Sequence, residues 1–306
     1  MTSRSFTFLV NPNSGGGTAP KVVLPLARRL REAGAEVEVS YTSSAAVVPD
    51  LVKVAAAAGR VVVSVGGDGM LSSVAGAVVD AGGELAVIPA GRGNDFARML
   101  EVPSDEDAQV ALLLGGKPTP VDLLSVSMPG RPAVLVAGSV YAGVDARAAE
   151  IVDRSHWLPN RLQYPIASIR ALGTYRPAAL TVEIDGRRTE HRAANVVIAN
   201  SRFYGKGMDI APDARIDDGV LDVVVIEAAG RVDLIRSLPK VYDGAHVALA
   251  AVKVLRGTRV TVSGRYDGTA APVPVGADGE SLGDLPATGE QPLTVEIRPG
   301  AVKVLR

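Results

Sequence analysis

Residues 61–69 read VVVSVGGDG, a five-residue stretch with four valines that suits a strand buried on both faces, followed by three glycines around one acid. Such a strand belongs inside a parallel sheet. Gly66, Gly67 and Gly69 leave the backbone bare where the strand ends, so that N–H groups can come close to phosphate oxygens. Asp68 adds a carboxylate able to hold a ribose hydroxyl, a water or a cation near those phosphates. Packing alone is a poor explanation for three glycines around one acid.

Working outward, the same order of strand, turn and helix recurs. Residues 6–10, FTFLV, form a short apolar strand that stops at NPNSGGG (11–17), and residues 20–33 read as a helix spaced by Leu24, Leu26 and Leu30. A strand over 36–41 and a helix over about 46–58 precede the opening stretch. A helix over about 70–81, a strand over 85–89 and a further turn, PAGRGNDFAR (89–98), follow it. Four strands with intervening helices predict a doubly wound parallel sheet, whose ligands lie at the carboxyl ends of the strands. The first turn reads either as a phosphate loop or as a plain turn, since Asn-Pro and Gly-Gly also punctuate ordinary loops, and the third, with two glycines, an amide, a carboxylate and two guanidinia, lies where strand ends meet ligands. Neither a Gly-x-Gly-x-x-Gly after the first strand nor a Gly-x-x-x-x-Gly-Lys-Ser/Thr is present, so the dinucleotide-fold and P-loop readings lose their main support.

After Val121-Asp122-Leu123 the pattern changes. Strand-like segments at 133–140, 179–185, 195–200, 220–227, 258–263 and 292–297 predict an antiparallel β-sandwich. Residues 145–177, helical in character and broken by Pro159 and Pro165, read as an insertion between strands. The hexapeptide AVKVLR at 251–256 and 301–306 lacks a third copy and is read as chance rather than as a repeat architecture.

Length and composition agree with this division: 306 residues suit about two domains, and 47% apolar with 4% aromatic residues make a core of Val, Ala and Leu. The net charge of −1 gives no global attraction to nucleic acid. No run is long enough to span a bilayer and the first residues lack a signal peptide's layout, so a cytoplasmic protein, peripheral at the inner membrane surface, is expected. With no Cys and three His, thiolate or His-rich metal centres are excluded or disfavoured, and an oxygen-held Mg²⁺ is the expected metal.

NPNSGGG, then GGDG, then GRGNDFAR, with VDLLSV (121–126), GVDA (143–146), APDARIDDGVLDV (211–223) and DGE (278–280) in the same order, resembles the catalytic domain of the diacylglycerol kinase family, which includes bacterial lipid kinases and sphingosine and ceramide kinases. The resemblance spans nearly the whole chain. It implies an ATP-binding α/β domain over 1–124 and 296–306 and a β-sandwich over 125–295 that carries the catalytic base, with the nucleotide in the cleft between them.

The same resemblance assigns residues. Asn11, Ser40, Thr42, Gly66, Gly67, Asp68, Gly69, Met70, Ser72, Gly91, Arg92, Asn94 and Asp95 would contact ATP. Asp218, with carbonyls at Arg215 and Val220, would hold a structural or regulatory Mg²⁺, and Asp68, Asp95 and Asp122 an acidic network nearer the catalytic metal. Glu280 would accept the proton of the acceptor hydroxyl, with Asp278 as partner or competitor. Read without the family, Asp278-Gly279-Glu280 is a hairpin turn, Asp217-Asp218-Gly219 a solvated turn and Asp122 a turn-capping carboxylate.

Two positions depart from the family pattern: Met70 stands where many relatives have Thr, with Ser72 and Ser73 as replacement hydroxyls, and Arg92 stands in a loop written GTxND elsewhere. Arg92 is either a phosphate contact or a surface residue. In 147–177, Arg147, Arg154, Arg161, Arg170 and Arg176 with Trp157, Leu158, Tyr164 and Tyr175 suit a transient membrane-surface contact, or else cover one edge of the sandwich. The expected reaction is ATP- and Mg²⁺-dependent phosphorylation of a lipid alcohol, diacylglycerol first. A kinase of a soluble substrate such as NAD and a silent nucleotide- or lipid-binding regulator are the alternatives, and a homodimer is left open.

Overall fold

The computed structural model describes residues 4–42, 44–153 and 160–306. They form two compact units: 1–123 with 216–218 and 298–306, and 124–215 with 219–297. The sequence reading placed 216–218 in the second domain, whereas the structure packs them with the first.

The first unit runs β1 (Ser5–Val10), α1 (Ala19–Glu32), β2 (Glu36–Tyr41), α2 (Val48–Ala57), β3 (Val61–Gly66), α3 (Asp68–Ala81) and β4 (Glu84–Pro89). Then come α4 (Asp95–Met99), α5 (Glu106–Gly115) and the first part of β5 (Pro118–Ser127). The parallel order is β2, β1, β3, β4, and Lys303 and Val304 of the last strand pair in parallel with Glu84 and Leu85. β3 is buried at every position, as a central strand covered on both faces must be. Phe6, Phe8, Val10, Val61, Val63 and Val65 pack with Val23, Leu26 and Leu30 of α1 and Leu113 of α5.

The buried stripe of α1 is Ala19, Val23, Leu26, Ala27 and Leu30, spaced three and four residues apart. Leu24, expected on that stripe, is 60% exposed, because two residues from Leu26 is about 200° around a helix of 3.6 residues per turn.

The second unit continues with the rest of β5, β6 (Val134–Val136), β7 (Ser139–Gly143), α6 (Val144–Asp153), α7 (Asn160–Gly173), β8 (Ala178–Ile184), β9 (Arg187–Ala199), β10 (Phe203–Tyr204) and β11 (Met208–Asp209). It ends with β12 (Leu221–Glu227), α8 (Arg231–Ser237), α9 (Pro239–Tyr242), β13 (Val252–Gly257), β14 (Arg259–Tyr266), β15 (Pro274–Ala277), β16 (Glu280–Asp284) and the start of β17 (Leu293–Leu305). β9 organises it: residues 187–193 pair with β8, and 193–199 run between β7 and β12, all antiparallel.

β7, residues 193–199 of β9 and residues 221–225 of β12 are buried on both faces, and their alternation divides them between two cores. Val140, Ala142, Val196, Ile198, Val223 and Val225 face the sandwich interior. Tyr141, Val197, Ala199 and Val224 face the other way, onto Ala146 of α6, Tyr204, Met208, Ile210 and Val241. From the region read as an insertion, only Ala146 joins this second core, which 204–214 and Val241 otherwise supply. β13, β15 and β16 went unanticipated. Both AVKVLR copies end in strands, one in β13 antiparallel to β12 and one in β17 parallel to β4.

Leu26→Ala empties a fully enclosed site in the first core. A loss of about 2–5 kcal/mol is expected, read as a lower denaturant midpoint for the unfolding of that unit.

Candidate active site

In the first unit the three glycine-bearing turns meet at the carboxyl end of the parallel sheet. The Asn11 N–H donates to the Val65 carbonyl at 3.2 Å and the Ala90 N–H to the Gly66 carbonyl at 3.0 Å, so both outer turns are tied to the strand that carries the central one. β2 ends beside them, its neighbour Thr42 donating N–H to the Val10 carbonyl at 2.9 Å. A β-carbon on Gly91 would stand 2.9 Å from the Gly67 nitrogen, and one on Gly15 2.6 Å from the Ala90 carbonyl oxygen. No side chain fits there, so the turns pack backbone against backbone.

Asn94, at φ 55°, closes the third turn by accepting the Gly91 N–H at 2.7 Å and donating to the Gly91 carbonyl at 3.1 Å. Asp68 opens α3, and its Oδ1 accepts the N–H of Phe96, in the first turn of α4, at 3.0 Å. A β-carbon on Gly93 would lie 3.1 Å from Asp68 Oδ2 and 3.1 Å from Asp95 Oδ2. Two carboxylates from different helices thus border one small space, beside an α3 first turn whose N–H groups have no intrahelical acceptor. The Met70 sulfur lies 2.8 Å from where Gly66 would carry a β-carbon, so this side chain folds over Gly66. Ser72 is buried in α3 and Arg92 is exposed.

The second unit presents the DGE segment as a two-residue hairpin. Asp278 (φ 45°) and Gly279 (φ 89°) join β15 to β16, the positive-φ pair that Asp-Gly favours. Asp278 Oδ2 accepts the N–H groups of Ala137 (3.1 Å) and Gly138 (3.0 Å), and Oδ1 accepts that of Ser139 (2.9 Å). Its carboxylate is a brace. Glu280 opens β16 with its side chain exposed. The Gly279 N–H donates to the Tyr141 hydroxyl oxygen at 3.1 Å.

The second unit also holds a mainly apolar pocket of about 280 Å³. Asp145, in the first turn of α6, lines it and accepts hydrogen bonds from the Tyr204 hydroxyl and the Asn195 amide. Burial pushes the Asp145 carboxyl up to about 6, against the pull of those two donors toward lower values. The residue is partly exposed by area, but it lines the pocket, and desolvation governs.

The family model for the diacylglycerol kinase catalytic domain matches residues 5–126, and that for the YegS C-terminal NAD kinase beta sandwich-like domain matches residues 138–306. The chain belongs to the diacylglycerol kinase family. A diacylglycerol kinase of Mycobacterium tuberculosis is 31% identical over 98% of this chain and 94% of its own length. One of Bacillus subtilis is 24% identical over 91% and 90%. A solved diacylglycerol kinase structure from Bacillus anthracis superposes with a TM-score of 0.69 at 17% identity, covering 100% of this chain and 97% of that one, and shares the fold. The protein is a lipid kinase by family, with the ATP use that kinases imply.

Within this kinase the structure brings Asn11, Gly66, Gly67, Asp68, Gly69, Met70, Gly91, Asn94 and Asp95 to one edge, with Ser40 and Thr42 at the end of the adjacent β2. The Thr42 hydroxyl is engaged locally, donating to the Ser44 carbonyl at 2.9 Å. The expected three-carboxylate network is not formed. Among the described residues no group of three or more acidic or His side chains could hold a metal ion. Asp122 is instead a buried brace, accepting the Gly300 N–H at 2.7 Å while its own N–H donates to Ile216 at 2.7 Å. Asp218 is exposed in the 216–218 segment of the first unit, while Arg215 and Val220 fall in the second.

Of the expected membrane-contact residues, Tyr175 is buried with its hydroxyl on the Ala229 carbonyl (3.2 Å), and Arg147 pairs with Glu150 (2.7 Å). Arg154, Trp157 and Leu158 lie outside the described residues, as do the side chains of Arg161 and Tyr164. Sequence reasoning missed Asp145, Asn195, Tyr141 and Tyr204. Polar groups inside the otherwise apolar SVYAG and ANVVIAN strands are the signal that could have found the strand pair.

Because the folded chain holds the Asp145 proton up to about pH 6 while the unfolded chain releases it near pH 4, stability falls as pH rises through that window. Asp145→Asn removes the dependence. Relative to wild type it should gain on the order of 2 kcal/mol between pH 4 and pH 7, measured by denaturant midpoints at both values.

Proposed function

We propose that this kinase transfers the γ-phosphoryl group of ATP, with Mg²⁺, to the hydroxyl of a membrane lipid, diacylglycerol before other lipid alcohols. The observation that carries the reading is the interlocked set of three glycine turns with Asp68 and Asp95 bordering one space. Curated relatives named diacylglycerol kinase support the choice of acceptor.

Bare backbone at Gly67 and Gly91 and the N–H groups opening α3 supply donors to phosphate oxygens. Asn11 and the end of β2, with Ser40 and Thr42, serve the nucleoside, and Arg92, exposed in the third turn, is assigned to the phosphates. Asp68 and Asp95 suit Mg²⁺, which takes one or two protein carboxylates and completes its shell with water and phosphate oxygens. When bound, the ion neutralises charge on the transferring group.

Glu280 takes the acceptor's proton, and Asp278 holds the turn that presents it. Its three N–H bonds fit it for that brace rather than for proton transfer. For the membrane contact, exposed Ile166 and Ile169 beside Arg170 on α7, and Val232 between Arg231 and Arg236 on α8, offer an apolar surface edged with positive charge.

Incubation with radiolabelled ATP and either a total lipid extract or NAD tests the assignment. Label is expected in a phosphorylated lipid, and label only in NADP overturns the lipid reading. Glu280→Gln should cut turnover by about 10²–10⁴-fold with ATP binding retained, as removal of a general base does. Unchanged activity would remove Glu280 from that role.

A further inference from the structure

The second unit holds another pocket, of about 380 Å³, whose walls come from α6, the end of α7 and the strands β14 to β16. At about 30 Å³ for each group of water or methylene size, it has room for about a dozen. Charge dominates this wall. Arg147 and Glu150 of α6, Arg176 just after α7 and Asp284 at the end of β16 line it, with Thr174 and Tyr266 among them. Pro272 and Pro274 line it too and carry no N–H, which leaves recognition largely to the side chains.

These polar groups are only partly committed. Arg147 donates to Glu150 at 2.7 Å, and the Thr174 hydroxyl donates to the Arg170 carbonyl at 2.8 Å. Among the described residues, no ion pair or hydrogen bond engages the side chain of Arg176, that of Asp284 or the Tyr266 hydroxyl. Exposed charges alone would be ordinary solvated surface. Tyr266 sets this pocket apart. Burial pushes its phenol up, and Arg147, Glu150, Asp284 and Arg176 all act on it, the arginines pulling it down and the carboxylates pushing it further up. One half-buried ring thus lies within reach of a cation and an anion that do not meet each other.

A ligand with a single charge answers one of these groups and leaves the other facing it without a partner. A molecule carrying both signs answers both. Arg176, with the donors that Arg147 keeps beyond its bond to Glu150, favours phosphate over carboxylate, because two guanidinia match an anion of up to two charges. Asp284 is left for an ammonium.

We propose that this pocket binds a small zwitterion with a phosphate and an ammonium on a short linker, the phosphate on Arg176 and Arg147 and the ammonium on Asp284. The site depends on neither the nucleotide turns nor the lipid-kinase reading.

The test is calorimetric titration of the full chain with phosphoethanolamine, without nucleotide or lipid. Saturable binding is expected, weakened at least about tenfold by Arg176→Gln and by Asp284→Asn, each of which loses one charged partner. Both positions are exposed, and an unchanged denaturant midpoint shows that each variant is folded. Phosphatidylethanolamine vesicles that compete with the probe make the natural ligand a lipid headgroup, and vesicles that do not compete make it a small soluble molecule. Either result supports the site.

Absence of binding, or binding that neither variant weakens, overturns the proposal. Weakening in one variant alone, with the other as tight as wild type, reduces the pocket to a site for a single charge and overturns the zwitterion assignment. A protein that binds phosphoethanolamine through both residues yet phosphorylates no lipid keeps the site and removes the lipid-kinase reading instead.

Discussion

Backbone-to-backbone contact between Gly67 and Gly91 is the constraint from which the rest of the first unit's site follows. With no side chain between them, the turns after β3 and β4 lie close enough for Asp68 to accept the Phe96 N–H and for its other oxygen to face Asp95 across Gly93. The acidic pair is thus a product of glycine packing. The parallel sheet supplies the placement: adjacent strands running the same way end at the same edge, and each end carries a turn.

The second unit obeys a different rule. Because β7, residues 193–199 of β9 and most of β12 are buried on both faces, a polar side chain on the outer face there must find its partner within the protein. Asn195 and Asp145 satisfy each other, and Tyr204 reaches the same carboxylate. Desolvation that raises the Asp145 carboxyl and the apolar character of the cavity beside it have one cause, the closing of α6 to α9 over that face of the sheet.

Much of this was legible in the sequence because it is local. VVVSV followed by GGDG names both a central strand and its turn, and β1, β3, β4 and the sandwich strands β8, β12 and β14 come from apolar runs bounded by turn residues. What was not legible is tertiary. Leu24 has the composition of a core residue and the wrong angle for it. The strand character of VKVLRG in β13 is masked by its charged residues, and β15 and β16 are too short to show a period. The roles of Asp122 and Asp278 depend on N–H groups far along the chain, at Gly300 and at 137–139, which no spacing rule brings together. Asp145 stood inside a recognised segment, GVDA, yet its partners lie 50 and 59 residues away.

The interlocked turns also limit how such a site can change over time. A new side chain at Gly15 or Gly91 collides with main chain of a neighbouring turn, and main chain cannot be exchanged for something smaller. Single substitutions there have no nearby compensation, whereas the Met70 side chain folds over Gly66 and meets no main chain of another turn there. The framework therefore tolerates change at the side chains around it and not at Gly15 or Gly91.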